Sequence, residues 1–131
     1  MRIINGPHPS SGHYSAAVIS HGNVYISGQT SADPFTGRVT DQGIDAEMRV
    51  CLERVEHILK EVGLLREHVV MCRIFVTDME MWREADAAYG EFFGTHCPAR
   101  AVYESPHIHH GAHIEMEAVA EFPEEMEQAR A

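Results

Sequence analysis

His113-Ile114-Glu115-Met116-Glu117-Ala118-Val119-Ala120-Glu121-Phe122 alternates strictly between two sets of side chains. Ile114, Met116, Ala118, Ala120 and Phe122 make one apolar face, while His113, Glu115, Glu117, Val119 and Glu121 point the other way. A period of two reads as a strand with one buried face. A carboxylate in such a strand is expected to face a cation on its neighbour. The preceding strand-like run, Cys97-Pro98-Ala99-Arg100-Ala101-Val102-Tyr103-Glu104, offers Arg100. A guanidinium beside a carboxylate in a small domain suggests a site for an anionic small molecule that must react with water.

The rest of the chain supplies a sheet and two helices. Arg2 to Asn5 is a short edge-strand candidate, and Tyr14–Ser20 and Asn23–Ser27 flank His21-Gly22, a tight turn. Gly28-Gln29 is expected to end the second of these strands, Gly28 marking either a bulge or a close approach by backbone or ligand. Asp33-Pro34-Phe35-Thr36-Gly37 is a turn. Ile44, Met48, Cys51, Leu52, Val55, Ile58, Leu59 and Val62 recur at steps of three and four, which predicts a helix stopped by Gly63. Val69–Thr77 is an interior strand, Asp78 an N-cap, and a second helix spans about Glu80 to Phe93. The order β-β-β-α-β-α-β-β does not alternate regularly, so an α+β class is expected, with two helices on one face of five or six strands. The far face of the strand from Val69 would mix Val69, Met71 and Phe75 with Arg73. A half-apolar face left open predicts association between copies.

At 131 residues and 14.7 kDa the chain is expected to be one domain with a core of about 12–122 and a frayed acidic tail at 123–131. The net charge of −10 argues against phosphate-backbone binding, and no nucleic-acid partner is expected. Cys51, Cys72 and Cys97 form no evident disulfide framework. The N-terminus lacks a signal-peptide h-region and no apolar run spans a membrane, so a cytoplasmic protein without a membrane partner is expected.

Each chemical candidate has a plainer alternative. Arg100 and Glu115 would also serve as a structural ion pair. His107, His109, His110 and His113 crowd one connection, but Gly111 breaks the spacing and no HExxH occurs, so a loop at the mouth of a site is favoured over a metal centre. Ser27 is outside any GxSxG elbow, the His96-Cys97 neighbours are no dyad, and no P-loop or GxGxxG is present. Tyr14, taken alone, is an aromatic at a strand start.

In order, these segments resemble the Rid family of reactive intermediate deaminases, the RidA/YjgF-like proteins formerly called endoribonuclease L-PSP. Gly12-His13-Tyr14-Ser15-Ala16-Ala17 resembles the family's GPYxQA, Val24–Gln29 its strand ending in SGQ, and Asp33–Gly37 its DPxTG turn. Ile74–Met79 and Tyr89–Phe93 resemble its middle strand and second helix, Pro98-Ala99-Arg100 its PAR motif, and Ile114–Ala120 its closing IEIEAIA strand. The resemblance implies a chorismate-mutase-like fold and a homotrimer with sites between subunits. It implies hydrolysis of 2-imino acids of the 2-aminoacrylate/2-iminopropanoate class to 2-oxo acids and ammonia, without metal or organic cofactor. Arg100 would bind the substrate carboxylate and Glu115 position water. Tyr14 would line the pocket, Gly28 give backbone contacts and Val102 offer its carbonyl to the water. His13 and Ala16 depart from the family's proline and glutamine, and Ile108-His109-His110-Gly111 stands where active members often read LPKG. A hydrolase for a larger imine or enamine, or a non-catalytic trimer binding a small carboxylate, is the alternative.

Overall fold

The computed structural model describes residues 1–5 and 12–124; the expected tail therefore lies outside the described residues from position 125. The elements are β1 (Arg2–Ile4), β2 (Ala17–Ser20), β3 (Asn23–Thr30), α1 (Ile44–Glu61), β4 (Val69–Val76), α2 (Trp82–Phe93), β5 (Ala99–Glu104) and β6 (Ile114–Glu121). They build the expected α+β architecture. Six strands form one mixed sheet in the order β1-β2-β3-β6-β4-β5, with both helices on one face. Only β4 and β5 run parallel, joined through α2; the other pairs are antiparallel.

The alternating run is the spine of the sheet. Ile114, Met116, Ala118 and Ala120 are buried against Met48, Cys51, Leu52, Val55 and Leu59 of α1. Burying each large aliphatic side chain contributes about 1.5–3 kcal/mol, which is why this periodicity is so strongly held. Ala85, Ala88, Tyr89 and Phe93 of α2 complete the core. The Asp78 carboxylate accepts from the Glu80 amide and starts a 3-10 turn, Met79–Met81, that leads into α2. His21 and Gly22, at φ 51° and 77°, make the tight turn between β2 and β3.

Three local expectations are corrected. β3 does not end at Gly28-Gln29 but continues to Thr30 through a bulge. Val69 is fully buried on the helix side, because a register shift between Val69 and Met71 reverses the alternation there. Most important, β5 and β6 are not neighbours: β4 lies between them. Parallel strands linked by a helix pack side by side, so β6 pairs with the other edge of β4. The residue opposite Glu115 on β4 is Phe75, and Arg73 pairs with Glu117.

Candidate active site

The site begins at the bulge in β3. The β3–β6 register shifts between Ile26 and Gln29, so Ser27 and Gly28 together oppose one residue of β6. The bulge is tied down: Ser27 donates its amide to the Ala16 carbonyl at 2.9 Å and its hydroxyl to the Ser15 carbonyl at 2.6 Å. These bonds also hold the segment that carries Tyr14. The Glu115 carboxyl lies directly over Gly28. A Cβ built on Gly28 would stand 3.0 Å from Glu115 Cδ and Oε2. Gly28 is therefore needed for space, and what approaches its backbone is a carboxyl group.

Burial raises the Glu115 pKa above the usual carboxylate value. The nearby Glu117 charge pushes the same way, and His109 pulls against both. Around this carboxyl opens a cleft of about 540 Å³. Tyr14, Ser27 and Thr30 form one wall and the Ala32–Pro34 turn another; Arg54, His109, His110 and Glu117 complete it. The turn has the geometry its sequence predicts, Asp33 Oδ1 accepting from the Phe35 and Thr36 amides at 2.8 and 2.9 Å.

Tyr14, Gly28 and Glu115 therefore share one cleft, whereas Arg100 and Val102 lie elsewhere. Arg100 registers with the buried Cys72, so it points to the helix side of the sheet, opposite to Glu115. Its guanidinium donates to Asp86 Oδ1 at 2.7 Å and lies 5.0 Å from the ring centres of both Trp82 and Tyr89. Two strand spacings, roughly 9–10 Å, add to the change of face. The expected cross-strand contact between Arg100 and Glu115 within one chain is thus corrected. Strand order, which periodicity does not encode, is the reason. Val102 sits on β5, at the sheet edge. Ser105 donates its amide to the Val76 carbonyl, so alternation turns the Val102 carbonyl outward, away from β4.

Sequence reasoning overlooked two supporting residues. Glu47 is buried, yet it sits in the first turn of α1 at the spacing of the apolar positions. Its carboxylate accepts from Ser31 Oγ at 2.7 Å and the His113 amide at 3.0 Å, and meets His113 Nδ1 at 2.8 Å. An acidic residue three positions after Ile44 and four before Cys51 was the available signal. Arg54 donates from one nitrogen to the Thr30 and Ala32 carbonyls, at 2.9 and 3.0 Å, and fixes the wall beside the turn. Among the described residues no group of three His, Cys, Asp or Glu side chains is arranged to hold a metal. No helix among them is long and apolar enough to cross a membrane.

Comparison with known proteins agrees with this architecture. Residues 5–122 match the family model described as Endoribonuclease L-PSP. Human 2-iminobutanoate/2-iminopropanoate deaminase is 34% identical over 109 residues, 83% of this chain and 80% of that protein. A RutC family protein of Pyrococcus horikoshii is 32% identical over 116 residues, covering 88% of this chain and 91% of the relative. The E. coli YjgF crystal structure superposes with a TM-score of 0.81 at 30% identity, over 91% of this chain and 94% of that one. The structure of E. coli TdcF with bound serine gives 0.84 at 26% identity, over 94% and 100%. The YyfA protein of Yersinia pestis, a member of the conserved Rid protein family, gives 0.81 at 30%, over 90% and 94%. This chain belongs to the Rid family, the YjgF and endoribonuclease L-PSP proteins.

Proposed function

We propose that this protein hydrolyses 2-imino acids, of the 2-aminoacrylate/2-iminopropanoate class, to 2-oxo acids and ammonia. The observation that carries the reading is the desolvated Glu115 carboxyl lying over Gly28 inside an open cleft. A raised carboxyl pKa brings proton affinity closer to that needed to accept a proton from water near neutrality. The similarity to proteins named as imine deaminases supports the same chemistry.

In this reading the site is completed by a second copy of the chain, in a homotrimer. Arg100 of the neighbouring copy holds the substrate carboxylate with the donors its Asp86 contact leaves over, and the outward Val102 carbonyl beside it receives a hydrogen bond from the attacking water. Glu115 takes the water's other proton as oxygen adds to C2. The amine then leaves and the carbonyl forms. Free imines hydrolyse unaided, so orientation and one acid–base group, worth about 10²–10⁴-fold, suffice. Tyr14 and Gly28 shape the pocket and require no cofactor.

Ammonia release from freshly generated 2-iminopropanoate tests the reading. The wild type is expected to accelerate it, and Glu115→Gln and Arg100→Ala to lose that acceleration. A wild type no faster than buffer overturns it. Stabilisation of the protein by a 2-oxo acid without any rate would favour the non-catalytic carboxylate binder, a reading to which the bound serine in the related TdcF structure lends some weight.

A further inference from the structure

The cleft contains a second group able to move protons, and it faces Glu115 from a different segment. His109 and His110 sit in a 3-10 turn, His109–Gly111, between β5 and β6. Both line the cleft, and their rings lie 4.0 Å apart. The turn is held at both of its ends. Gly111 donates its amide to the Ile108 carbonyl at 3.2 Å, and Ala112 to the His109 carbonyl at 3.3 Å. Past it, His113 is bound through its amide and its ring to the buried Glu47, and Thr77 donates to the His113 carbonyl at 3.0 Å. His110 adopts φ 61° and packs its ring beside Gly37 of the opposing turn. A loop fixed this way presents His109 as a preorganised group.

We propose that His109 is a second catalytic residue of this site, protonating the departing nitrogen while Glu115 takes a proton from water. The proposal rests on the imine deaminase reading and deepens it. The substrate enters as the iminium form, R–C(=NH₂⁺)–COO⁻. Water adds its oxygen to C2 and gives one proton to Glu115, leaving a neutral carbinolamine. Imidazolium at His109 then protonates the amine nitrogen. The C–N bond breaks, its electron pair leaving with ammonia, as the hydroxyl becomes the carbonyl and returns its proton to His109. Glu115 releases its proton to the ammonia, which departs as ammonium. Iminium and water thus become 2-oxo acid and ammonium, with both side chains restored.

Charged and titratable side chains surround His109 in the cleft. Glu115 and Glu117 reach the cleft from β6, Glu117 already paired with Arg73, while Asp33 comes from the turn after β3, Arg54 from α1, and His110 from the His109–Gly111 turn. Histidine is the side chain whose charge changes near neutral pH, so it suits a donor that must be reloaded each cycle.

The test is the pH profile of ammonia release for wild type, His109→Gln, His109→Ala and the control His107→Gln, from about pH 5 to about pH 9, the range spanning imidazole titration. His109 is solvent-exposed, so neither substitution threatens the core. The expected result is a kcat lower by about 10²-fold with KM unchanged in both His109 variants. The limb of the profile due to imidazole should vanish, and imidazole added to His109→Ala should restore part of the rate. His107→Gln, outside the cleft lining, should behave as wild type. A His109→Gln enzyme with wild-type kcat and profile overturns the assignment. So does a slow His109→Ala enzyme that keeps the wild-type profile and ignores imidazole, since that describes a structural role. If the wild type releases no ammonia, the deaminase reading falls, and this proposal with it.

Discussion

At the scale of single residues, Glu115 and Gly28 form one unit. The carboxyl is held where burial opposes its ionisation, and only a residue without a Cβ leaves room for it there. Function and stability should therefore part company at this position. A carboxyl whose folded pKa is raised binds its proton more tightly in the native state than in the unfolded chain. Its contribution is thus fully present below the unfolded pKa, and is lost as pH rises through the folded one. Near pH 7 the ionised group is a net cost. Glu115→Gln should melt no lower than wild type at pH 7, and its relative advantage should vanish in acid, where Glu115 is protonated. Thermal melts across that range check the sign; a variant clearly less stable at pH 7 contradicts the desolvation argument. The same substitution should lower the hydrolysis rate by about 10²–10⁴-fold. Gly28→Ala should fold, because the atoms its methyl meets at 3.0 Å belong to the end of a side chain. It should displace the carboxyl, however, and a crystal structure showing Glu115 unmoved would contradict that.

At the scale of elements, the chain was most readable where burial imposes a period. α1, α2 and β6 match their apolar spacing to within a residue or two, since every third or fourth, or every second, side chain had to enter the core. β5 was less informative. Its side chains are all partly or fully exposed, so alternation there has no buried face to announce. Arg100 could therefore be assigned to a strand, but neither to a face nor to a neighbour. Bulges were equally hidden: one extra residue at Val69–Met71 returns Val69 to the core, and the one at Ser27-Gly28 builds the floor of the cleft. Glu47 shows how elements are joined across these irregularities, linking α1 to Ser31 after β3 and to His113 before β6. Glu47→Ala leaves those donors without their acceptor, and should cost about 1–3 kcal/mol for each one left buried and unpaired. Urea denaturation measures this. Proteolysis within 105–112 should accelerate in parallel, because the loop loses its anchor; unchanged stability would mean water replaces the carboxylate without penalty.

At the scale of the whole molecule, the sheet has one covered face and one open face. Val18, Tyr25, Met71, Phe75, Tyr103 and Val119 lie on the open side around the Arg73–Glu117 ion pair, with Tyr25 and Tyr103 each 49% exposed. Phe75 and Tyr103 stack there at 5.6 Å. Such a surface favours packing against further copies. It also bears on chemistry, because Glu115 opens to this side while Arg100 lies on the edge strand, turned to the other. A guanidinium and a carboxyl so placed can serve one substrate only when they come from different copies. Genetic complementation then makes a quantitative prediction. Arg100→Ala and Glu115→Gln should each be inactive alone. In the proposed trimer, mixed at random, a site draws its intact Arg100 from a Glu115→Gln chain half the time, and its intact Glu115 from an Arg100→Ala chain half the time. About a quarter of the sites should therefore regain both groups on co-expression. If both residues acted within one chain, no mixed site would be intact and the activity would stay at the level of the single variants. Ammonia release from the co-expressed mixture, set against the two variants purified separately and combined without subunit exchange, distinguishes these outcomes.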